Sequence, residues 1–451
     1  MDSVTEAYIK ECLDEGNPLR NVIARTPFPD NQRAFFEASL LARPLFADRS
    51  ALLDCARDLA DLFTLLTTLP DRLFAGDLDR YASALGIDPR RAALILRLPD
   101  PHPLYGRADL YHDGTSFKLL EYNIGSPLGG TARAETCRYL LEDEYFRRFA
   151  DDHGLSYVRT GTRVAEALAE AALPVTGGAA PVIGVVESVG GIERHAITYH
   201  SIRDMLEQLG FEVVLGDVSQ VSERRGRLLL RGRAIDVVLR YFMTQELVAS
   251  GHDAEQILRA HENGQTVLWT SLRSELFENK GCLALLSDER WRDAFSDEER
   301  RLIDRMLPWT RRLTTGRVTV DGAEVDLVDY CREHREELIV KPFAGHSGSG
   351  IVPGWKVSDQ EWERHLTEAC ELGHIVQRRV IPATEPVVDP LTGDIQEHEV
   401  VWGIFMTPAG YAGAHARAAP ADTKAVINMG ARRSVKVAPV FEYSSQKRQA
   451  R

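Results

Sequence analysis

Three polar side chains in one short stretch have the types and spacing needed to hold a metal ion. In "RADLYHDGTSFKLLEYNIGSPLGG", Glu121 and Asn123 lie two residues apart on what reads as the return strand of a hairpin, and Asp109 lies on the outgoing strand. Residues i and i+2 of a strand share a face. Two carboxylates and a carboxamide suit Mg²⁺, which takes oxygen ligands and keeps places for phosphate oxygens. The alternative is a solvated polar face on a half-exposed hairpin.

The register of the hairpin decides whether Asp109 can join the other two. A two-residue turn at Asp113 and Gly114 would pair Asp109 with Lys118 and point its side chain away from Glu121. A five-residue connection, or an equivalent bulge, would place Asp109 directly opposite Glu121 on the same face. We therefore predict the wider connection or the bulge.

Two lysines and a glycine-rich loop are candidates for binding phosphate. Lys341 follows an apolar strand in "IVKPFAGHSGSGI", and Lys280 opens a helix in "ENKGCLALL", where the exposed N–H groups favour phosphate. The loop after Lys341 offers backbone N–H groups that can close over phosphates; it comprises Gly345, His346, Ser347, Gly348, Ser349 and Gly350. It is neither a Walker A loop nor a dinucleotide fingerprint. A flexible turn and a surface lysine are the alternatives.

Three arginines and an asparagine complete the candidates. Arg107 lies two residues before Asp109 on the same face, which suits a carboxylate substrate or an oxyanion formed on it. Arg240 ends the buried strand "DVVLRYF", where ligands often bind. Arg417 lies in the small, apolar context "AGAHARAAP", and Asn428 in "VINMGA" is a candidate for phosphate contact. Ion pairing or turn formation is the alternative for each of these four residues.

The helices and strands that must position these residues follow one another along the chain, with a helical region before the hairpin and most strands after it. Apolar spacing predicts helices up to about residue 100, the hairpin at about 105–123, and helix again at about 133–173. After the small-residue connector 174–181, buried strands in "VIGVVES", "FEVVLG", "IDVVLRYF" and "TVLWTS" predict a small doubly wound domain. Further on, Ser358 and Glu361 form a capping box, "HIVQRRVIP" reads as a strand, and "EHEVVWGIFM" and "GYAGAHARAA" read as antiparallel strands.

Composition limits the classes of function. The chain has 451 residues, enough for two or three domains, and a net charge of −13, which argues against a surface that wraps nucleic acid. Its six cysteines show no zinc spacing and predict reduced thiols in a cytoplasmic protein. The acidic N-terminus has no apolar segment of a signal peptide, and we expect no membrane-spanning helix.

Together these pieces resemble the circularly permuted ATP-grasp superfamily, which includes glutathionylspermidine synthases and eukaryotic-type glutathione synthetases. The hairpin "RADLYHDGTSFKLLEYN" is the specific motif, and its place before both lysines is the permuted order. The resemblance spans about residues 105 to 430. It implies Mg²⁺ ligation by Asp109, Glu121 and Asn123, and ATP binding by the two lysines and the glycine-rich loop. It also implies an adenine hinge from Gln377 through Arg378 to Val380, and substrate contact by Ser126.

The resemblance also implies an organisation and an activity. We expect a mixed α/β, circularly permuted ATP-grasp fold with an N-terminal helical region (1–104), a hairpin and helix of the ATP-grasp core (105–173), a small doubly wound substrate domain (182–270), the nucleotide-binding region (271–442) and a frayed tail (443–451). The implied activity is ATP-dependent joining of a small carboxylate to an amine (amino acid, peptide or polyamine-like) through an acyl phosphate. The alternatives are an ATP-binding module without turnover and a phosphotransferase.

Overall fold

A computed structural model describes residues 2–29, 39–99, 102–345, 350–423, 427 and 434–445. The α-helices in these ranges are Ser3–Leu13, Val22–Arg25, Arg49–Phe74, Leu78–Ala84, Pro89–Leu96, Thr131–Ala134, Thr136–Leu140, Glu144–Asp152, Thr160–Thr176, Gly191–Arg194, Ala196–Gln208, Thr244–Ser250, Glu255–Glu262, Ser274–Phe277, Gly281–Ser287, Asp297–Met306, Leu327–Glu333 and Asp359–Leu372. Across the same ranges, no helix is long and apolar enough to cross a membrane.

A seven-stranded mixed sheet organises the fold and carries the hairpin. Its strands are β1 (Leu45–Asp48), β2 (Gly106–His112), β3 (Phe117–Ile124), β17 (Thr384–Val388), β18 (Ile395–Thr407), β19 (Gly410–Pro420) and β20 (Lys436–Tyr443). The order is β1-β20-β19-β18-β2-β3, and β17 pairs with β18. The sheet therefore joins the hairpin to strands almost three hundred residues later.

The strands of two four-stranded sheets lie in sequence between β3 and β17 of this central sheet. The parallel one has the order β10-β9-β4-β5 and comprises β4 (Val182–Glu187), β5 (Glu212–Asp217), β9 (Val237–Arg240) and β10 (Val267–Trp269). The other has the order β11-β16-β14-β15 and comprises β11 (Thr310–Arg312), β14 (Leu338–Lys341), β15 (Val352–Pro353) and β16 (Ile375–Arg378). The remaining strands form a three-stranded and a two-stranded ribbon: β6 (Val221–Arg224), β7 (Arg227–Leu230), β8 (Arg233–Ala234), β12 (Arg317–Val320) and β13 (Ala323–Asp326).

Apolar faces of the helices explain how the sheets are covered. The helix Arg49–Phe74 repeats leucine at helical spacing and buries that face against β2, β3 and β18. The parallel sheet is apolar on both faces, each of which packs into its own cluster. The capping box at Ser358 and Glu361 starts the helix that covers the β14–β16 sheet through Trp362.

The sequence-based strand predictions agree closely with these elements. The four runs expected in the small doubly wound domain are β4, β5, β9 and β10, and all their pairings are parallel. The expected antiparallel pair is β18 and β19. The N-terminal region is not wholly helical, because β1 pairs in parallel with β20. A four-residue strand is too short to show a period, which is why the sequence did not reveal it.

Candidate functional site

The hairpin has the register that the metal-site prediction required. Asp109 pairs with Glu121, and the next pair is Leu110 with Leu119, so Leu120 is an extra residue that forms a bulge. Residues 113–116 make the connection, with the Asp113 amide bonded to the Ser116 carbonyl. The prediction of an equivalent bulge is confirmed, and it places the side chains of Asp109 and Glu121 side by side.

Asp109 lies at the centre of a buried ion network. Its side chain is 2% exposed; Arg107 donates to both carboxylate oxygens at 2.7 and 2.9 Å, and Arg417 lies 2.6 Å from Oδ2. Although burial raises the pKa of Asp109, the two guanidiniums outweigh it and hold the pKa far below its ordinary value. Asp109 therefore remains ionised, and both of its oxygens already accept charged hydrogen bonds.

The side-chain oxygens of Glu121 and Asn123 make fewer hydrogen bonds and ion pairs than those of Asp109. The Glu121 carboxylate lies 3.1 Å from Lys280 Nζ and borders three cavities. Burial raises the pKa of Glu121, but Lys280, Lys341 and Arg417 together outweigh it and lower the pKa. The Asn123 amide nitrogen donates to Asp109 Oδ2 and to the Arg107 carbonyl, both at 3.3 Å, and neither bond uses the amide oxygen.

Lys341 projects from the end of β14 toward the hairpin. Its Nζ donates to the Leu120 carbonyl at 3.2 Å and to Gln377 Oε1 at 2.7 Å. Thr310 in turn accepts from the Gln377 amide, which fixes that side chain. Burial, together with Lys280, lowers the pKa of Lys341 to about 8. The bulged residue Leu120 thus turns a carbonyl toward the lysine that the sequence had singled out.

An apolar slot leads from solvent to this cluster between β14–β16 and the central sheet. Its walls are mainly Tyr111, Leu120, Ile339, Ile351, Trp355, Val380, Val401 and Ile427. Gln377 and Arg378 also line it, and the charged end of the slot is formed by Asp109, Glu121, Lys341 and Arg417. The Arg379 guanidinium stacks 4.2 Å from the centre of the Trp355 ring. A flat apolar group with a polyanionic tail fits such a slot.

A larger cavity of about 460 Å³ lies beyond the charged cluster, between the central sheet and the parallel sheet. Arg107, Arg133, Arg417 and His415 line the side formed by the central sheet and the first turn after the hairpin. Glu187 and Tyr199 line the opposite side, where the tyrosine hydroxyl donates to the carboxylate. The volume suits a small molecule, and the lining of arginines and a glutamate suits one that carries charge of both signs.

A third cavity of about 280 Å³ adjoins the second and has an acidic wall. Glu246, Glu275 and Glu278 line it together with Glu121. Burial, reinforced by the neighbouring Glu275, raises the pKa of Glu278 to about 8. Arg91 and Lys280 line the same cavity and lie 3.2 and 3.1 Å from Glu275 and Glu121, so its wall carries charges of both signs.

Two residues expected to touch substrate lie away from all three cavities. Arg240 is fully buried and donates to the carbonyls of Thr270 and Phe242. The Ser126 hydroxyl donates to the Arg240 carbonyl at 2.7 Å. Ser126 ties the segment after the hairpin to the parallel sheet, Arg240 ties the end of β9 to the segment after β10, and both use their hydrogen-bonding groups inside the protein.

The glycine-rich loop and Asn428 are described only in part. His346, Ser347, Gly348 and Ser349, like Asn428 and residues 446–451 of the expected frayed tail, lie outside the described residues. Gly345 borders the second and third cavities, and its carbonyl lies 3.5 Å from Lys280 Nζ. Gly350 adopts a φ of 73°, a conformation that favours glycine.

Several cavity residues escaped the sequence analysis. Arg133, Glu187 and Trp355 each looked like an ordinary surface or strand residue in its own segment. The stretch "HAR" at 415–417 did carry a signal for His415. Alternate residues of β19 share a face, so His415 lies on the same face as Arg417.

The donor set fits a hard divalent cation in part. Glu121 and Asn123 offer oxygens that border the cavities, whereas the Asp109 oxygens are taken by two guanidiniums. Among the described residues, no group of three or more His, Cys, Asp or Glu side chains is arranged for a metal. Phosphate fits well, because four cations surround two carboxylates; the cations are Arg107, Lys280, Lys341 and Arg417.

Comparisons with known proteins support the fold. No protein-family profile and no curated protein sequence matches the chain. A solved structure of a glutathione synthetase-like effector from Globodera pallida matches with a TM-score of 0.58 and 12% identity, covering 98% of each chain. A gamma-glutamylcysteine synthetase, so named, from Methylobacillus flagellatus gives a TM-score of 0.40 and 16% identity, covering 79% of this chain and 82% of its own. The first match shows that this chain shares a glutathione synthetase-like fold.

Proposed function

We propose that the protein is an ATP-dependent carboxylate–amine ligase of the ATP-grasp type. In this reaction a substrate carboxylate attacks the γ-phosphorus of ATP, ADP leaves, and an amine then displaces phosphate from the acyl phosphate. The apolar slot takes the adenine, the cation-rich cluster takes the phosphates, and the 460 Å³ cavity takes the acid.

One observation carries the proposal: the two lysines converge on Glu121 where the slot meets the larger cavity. Lys280 lies 3.1 Å from Glu121, and Lys341 is close enough to lower the pKa of the same carboxyl. The two lysines are separated by sixty residues of sequence and come from different elements. Two lysines converging on one carboxylate between an apolar slot and a polar cavity suit a triphosphate with its metal.

The residues around the cluster have separate tasks in this mechanism. Lys280 and Lys341 hold phosphate oxygens, and Arg107 stabilises the negative charge that develops at the reacting carboxyl group. Glu121 and Asn123, with Asp109 if its guanidiniums yield, would hold Mg²⁺. When bound, Mg²⁺ supplies charge neutralisation for the phosphates. The loop that includes Gly345 and Gly350 excludes water, whose attack would waste the acyl phosphate.

The finer organisation belongs to the same proposal. We assign the permuted order of the superfamily, in which the metal-binding hairpin precedes the nucleotide lysines. Residues 182–270 form the substrate domain, whereas 105–173 and 271–442 form the ATP-grasp core. The shared central sheet, which pairs β2 with β18, supports joining the hairpin to the C-terminal strands.

The test is ADP release with product mass across a panel of amino acids and dipeptides as acids, with hydroxylamine or an alkyl amine as nucleophile. We expect ADP together with a hydroxamate or amide. Glu121→Ala and Lys341→Ala should each slow turnover by about 10² or more, the scale of one lost electrostatic contact. The exposed Lys10→Ala is the matched control.

A second candidate is an ATP-binding module without turnover. It is favoured by one observation, that both oxygens of Asp109 are held by arginines. ATP binding without ADP release across the panel would support it and discard the ligase. A phosphorylated product without an amide would instead identify a phosphotransferase that uses the same ATP site.

A further inference from the structure

A turn of the N-terminal region contacts the residues on either side of Lys280. This turn begins at Leu85, directly after the helix Leu78–Ala84. The Asn279 amide nitrogen donates to the Leu85 carbonyl at 3.1 Å, and the Asn279 amide oxygen accepts from the Gly281 N–H at 2.8 Å. Asn279 is 4% exposed, so both hydrogen bonds are buried. The proposed function assigns no task to Asn279 or to this turn.

The two hydrogen bonds allow the Asn279 side chain one orientation. A carbonyl can only accept and an N–H can only donate, so turning the amide over would place like groups against each other at both ends. Losing either bond would leave a buried polar group without its partner, which costs free energy. Asn279 therefore fixes the backbone from which the Lys280 side chain extends.

The same turn also holds the start of the glycine-rich loop. The Lys280 N–H donates to the Phe343 carbonyl at 3.0 Å, which joins the lysine to the residue two positions before Gly345. The Phe343 ring is buried and packs on Gly86, where an added Cβ would lie 3.0 Å from the ring. Gly86 adopts a φ of 69°, so glycine serves both the turn and the close approach of Phe343. The turn, the lysine and the start of the loop thus form one packed unit.

The proposed task of Lys280 requires an accurate position. Its Nζ has two polar neighbours, the Glu121 carboxylate at 3.1 Å and the Gly345 carbonyl at 3.5 Å. A lysine side chain has many rotamers, and fixing its backbone reduces the number of places that its ammonium group can reach. A displacement of about 1 Å at a reacting site can reduce a rate by about 10².

We propose that Asn279 is a positioning residue that orients Lys280 for the phosphates of ATP by anchoring it to the turn at Leu85 and Gly86. This proposal rests on the ATP site of the proposed function. Asn279 acts through the lysine, because its own donor and acceptor are used by Leu85 and Gly281. The N-terminal helical region then contributes to the nucleotide site.

A double-mutant cycle tests whether Asn279 acts through Lys280. In Asn279→Ala we expect the Kd of ATP, measured by calorimetry with Mg²⁺, to rise about tenfold, the scale of one lost hydrogen bond. ADP release should fall by about 10². In the Lys280→Met background, Asn279→Ala should change both values by less than about twofold. Asn279→Ser should behave like Asn279→Ala, because serine can accept from the Gly281 N–H but is too short to reach Leu85.

Gly86 and Gly76 provide a matched pair of probes in the N-terminal region. Their φ angles are 69° and 78°, so alanine introduces similar backbone strain at each. At Gly86 the new Cβ would press on the Phe343 ring, whereas at Gly76 the nearest group is the flexible Asp71 carboxylate at 3.3 Å. We expect Gly86→Ala to raise the Kd of ATP about fivefold, and Gly76→Ala to leave it within about twofold of wild type.

Three outcomes overturn the proposal. Equal weakening of ATP binding by Asn279→Ala in the wild-type and Lys280→Met backgrounds would show that Asn279 does not act through the lysine. Wild-type affinity in Asn279→Ser would show that the contact with Leu85 is not needed. Equal effects of Gly86→Ala and Gly76→Ala would exclude the packing of the turn on the loop.

Tyr81→Phe is the control for lost stability. The Tyr81 hydroxyl lies 3.1 Å from Cys282 Sγ and joins the same N-terminal helix to the same region of the chain as Asn279 does, but it does not contact Lys280. We expect a lower unfolding free energy and a Kd of ATP within about twofold of wild type; a rise equal to that of Asn279→Ala would trace both effects to stability and end the proposal. If wild type binds ATP but releases no ADP with any acid, only the ligase proposal fails, since ATP affinity still decides the role of Asn279. If wild type binds no ATP, both proposals fail.

Discussion

Two buried arginines in this molecule have opposite surroundings. Arg240 donates to two carbonyls and to the Ser274 hydroxyl and lies 3.5 Å from Glu275, so its guanidinium is used inside the protein. Arg417 lies 2.6 Å from Asp109, but its Nε has no partner in the described residues, and it borders both the slot and the larger cavity. Burial alone therefore does not separate structure from function; the difference lies in whether the charge is already satisfied.

The excess of cations around Arg417 lowers the free energy of unfolding, and a bound anion would reduce this cost. Positive charges held close together in a low-dielectric site repel each other and destabilise the folded state. The Arg240 site carries no such excess, since Glu275 and oriented carbonyls surround one guanidinium. A bound anion should therefore stabilise the first site and leave the second unchanged. Substitutions at the two arginines test this difference.

The largest effect is expected at Arg240. Arg240→Met removes the donor for three oxygens and leaves Glu275 with less charge compensation, which should cost about 3–5 kcal/mol of unfolding free energy. Denaturant unfolding followed by circular dichroism measures this loss. ATP should not restore the stability, because Arg240 itself lines none of the three cavities. A loss below about 1 kcal/mol would contradict a structural role for Arg240.

Arg417→Met should change activity instead of stability. Asp109 keeps both hydrogen bonds from Arg107, and one cation of the excess is removed, so the unfolding free energy should change by less than about 1.5 kcal/mol. ADP release should fall by about 10², the scale of one lost electrostatic contact. The comparison would fail if Arg417→Met lost as much stability as Arg240→Met.

The sequence predicted the strands that carry the site better than the side-chain contacts within it. Period-two and apolar runs located β2, β3, β4 and β9. The need for Asp109 to meet Glu121 predicted a five-residue connection or a bulge; the connection has four residues, and the bulge is present. These features are local, since they depend on spacing within one or two strands. The roles proposed for the individual site residues stay predictions.

What the sequence could not show depends on tertiary packing. Arg240 ends a strand at the edge where ligands bind, but the direction of its side chain follows from Thr270 and Ser274, which belong to other segments. Likewise, Trp355 reaches the slot only because distant strands bring its element there. Spacing in sequence carries no information about such contacts.

The pH dependence of stability offers a way to measure the cost of burying the charged Lys341 side chain. The pKa of Lys341 is lowered from 10.5 to about 8, chiefly by burial, so between these values the unfolded chain binds a proton that the folded chain has released. Stability should therefore rise with pH across this window. The unfavourable contribution is complete below about pH 8.

Lys341→Met isolates this contribution. The unfolding free energy of wild type relative to the variant should increase by up to about 3 kcal/mol between pH 8 and 10.5, at about 1.4 kcal/mol for each pKa unit. Denaturant titrations at several pH values measure it, with the exposed Lys10→Met as control. Parallel curves for wild type and Lys341→Met would show that the lysine is not under electrostatic strain.

The smallest effect is expected at Trp355, an aromatic wall of the slot. Trp355 stacks with Arg379 and forms a wall of the slot. Trp355→Ala should raise the KM for ATP about tenfold, because stacking of an aromatic side chain on a base contributes about 1–3 kcal/mol. The kcat should change little, since the phosphate-binding groups remain in place.

Trp291→Ala is a suitable control for this variant. Trp291 is also half-buried with an Nε1 that lacks a partner in the described residues, but it packs beside the helix Arg49–Phe74 and not on the slot. An equal rise in KM for both variants would indicate a general loss of stability. A fall in kcat at unchanged KM in Trp355→Ala would place the tryptophan near the reacting groups, and the slot could then no longer be assigned to adenine.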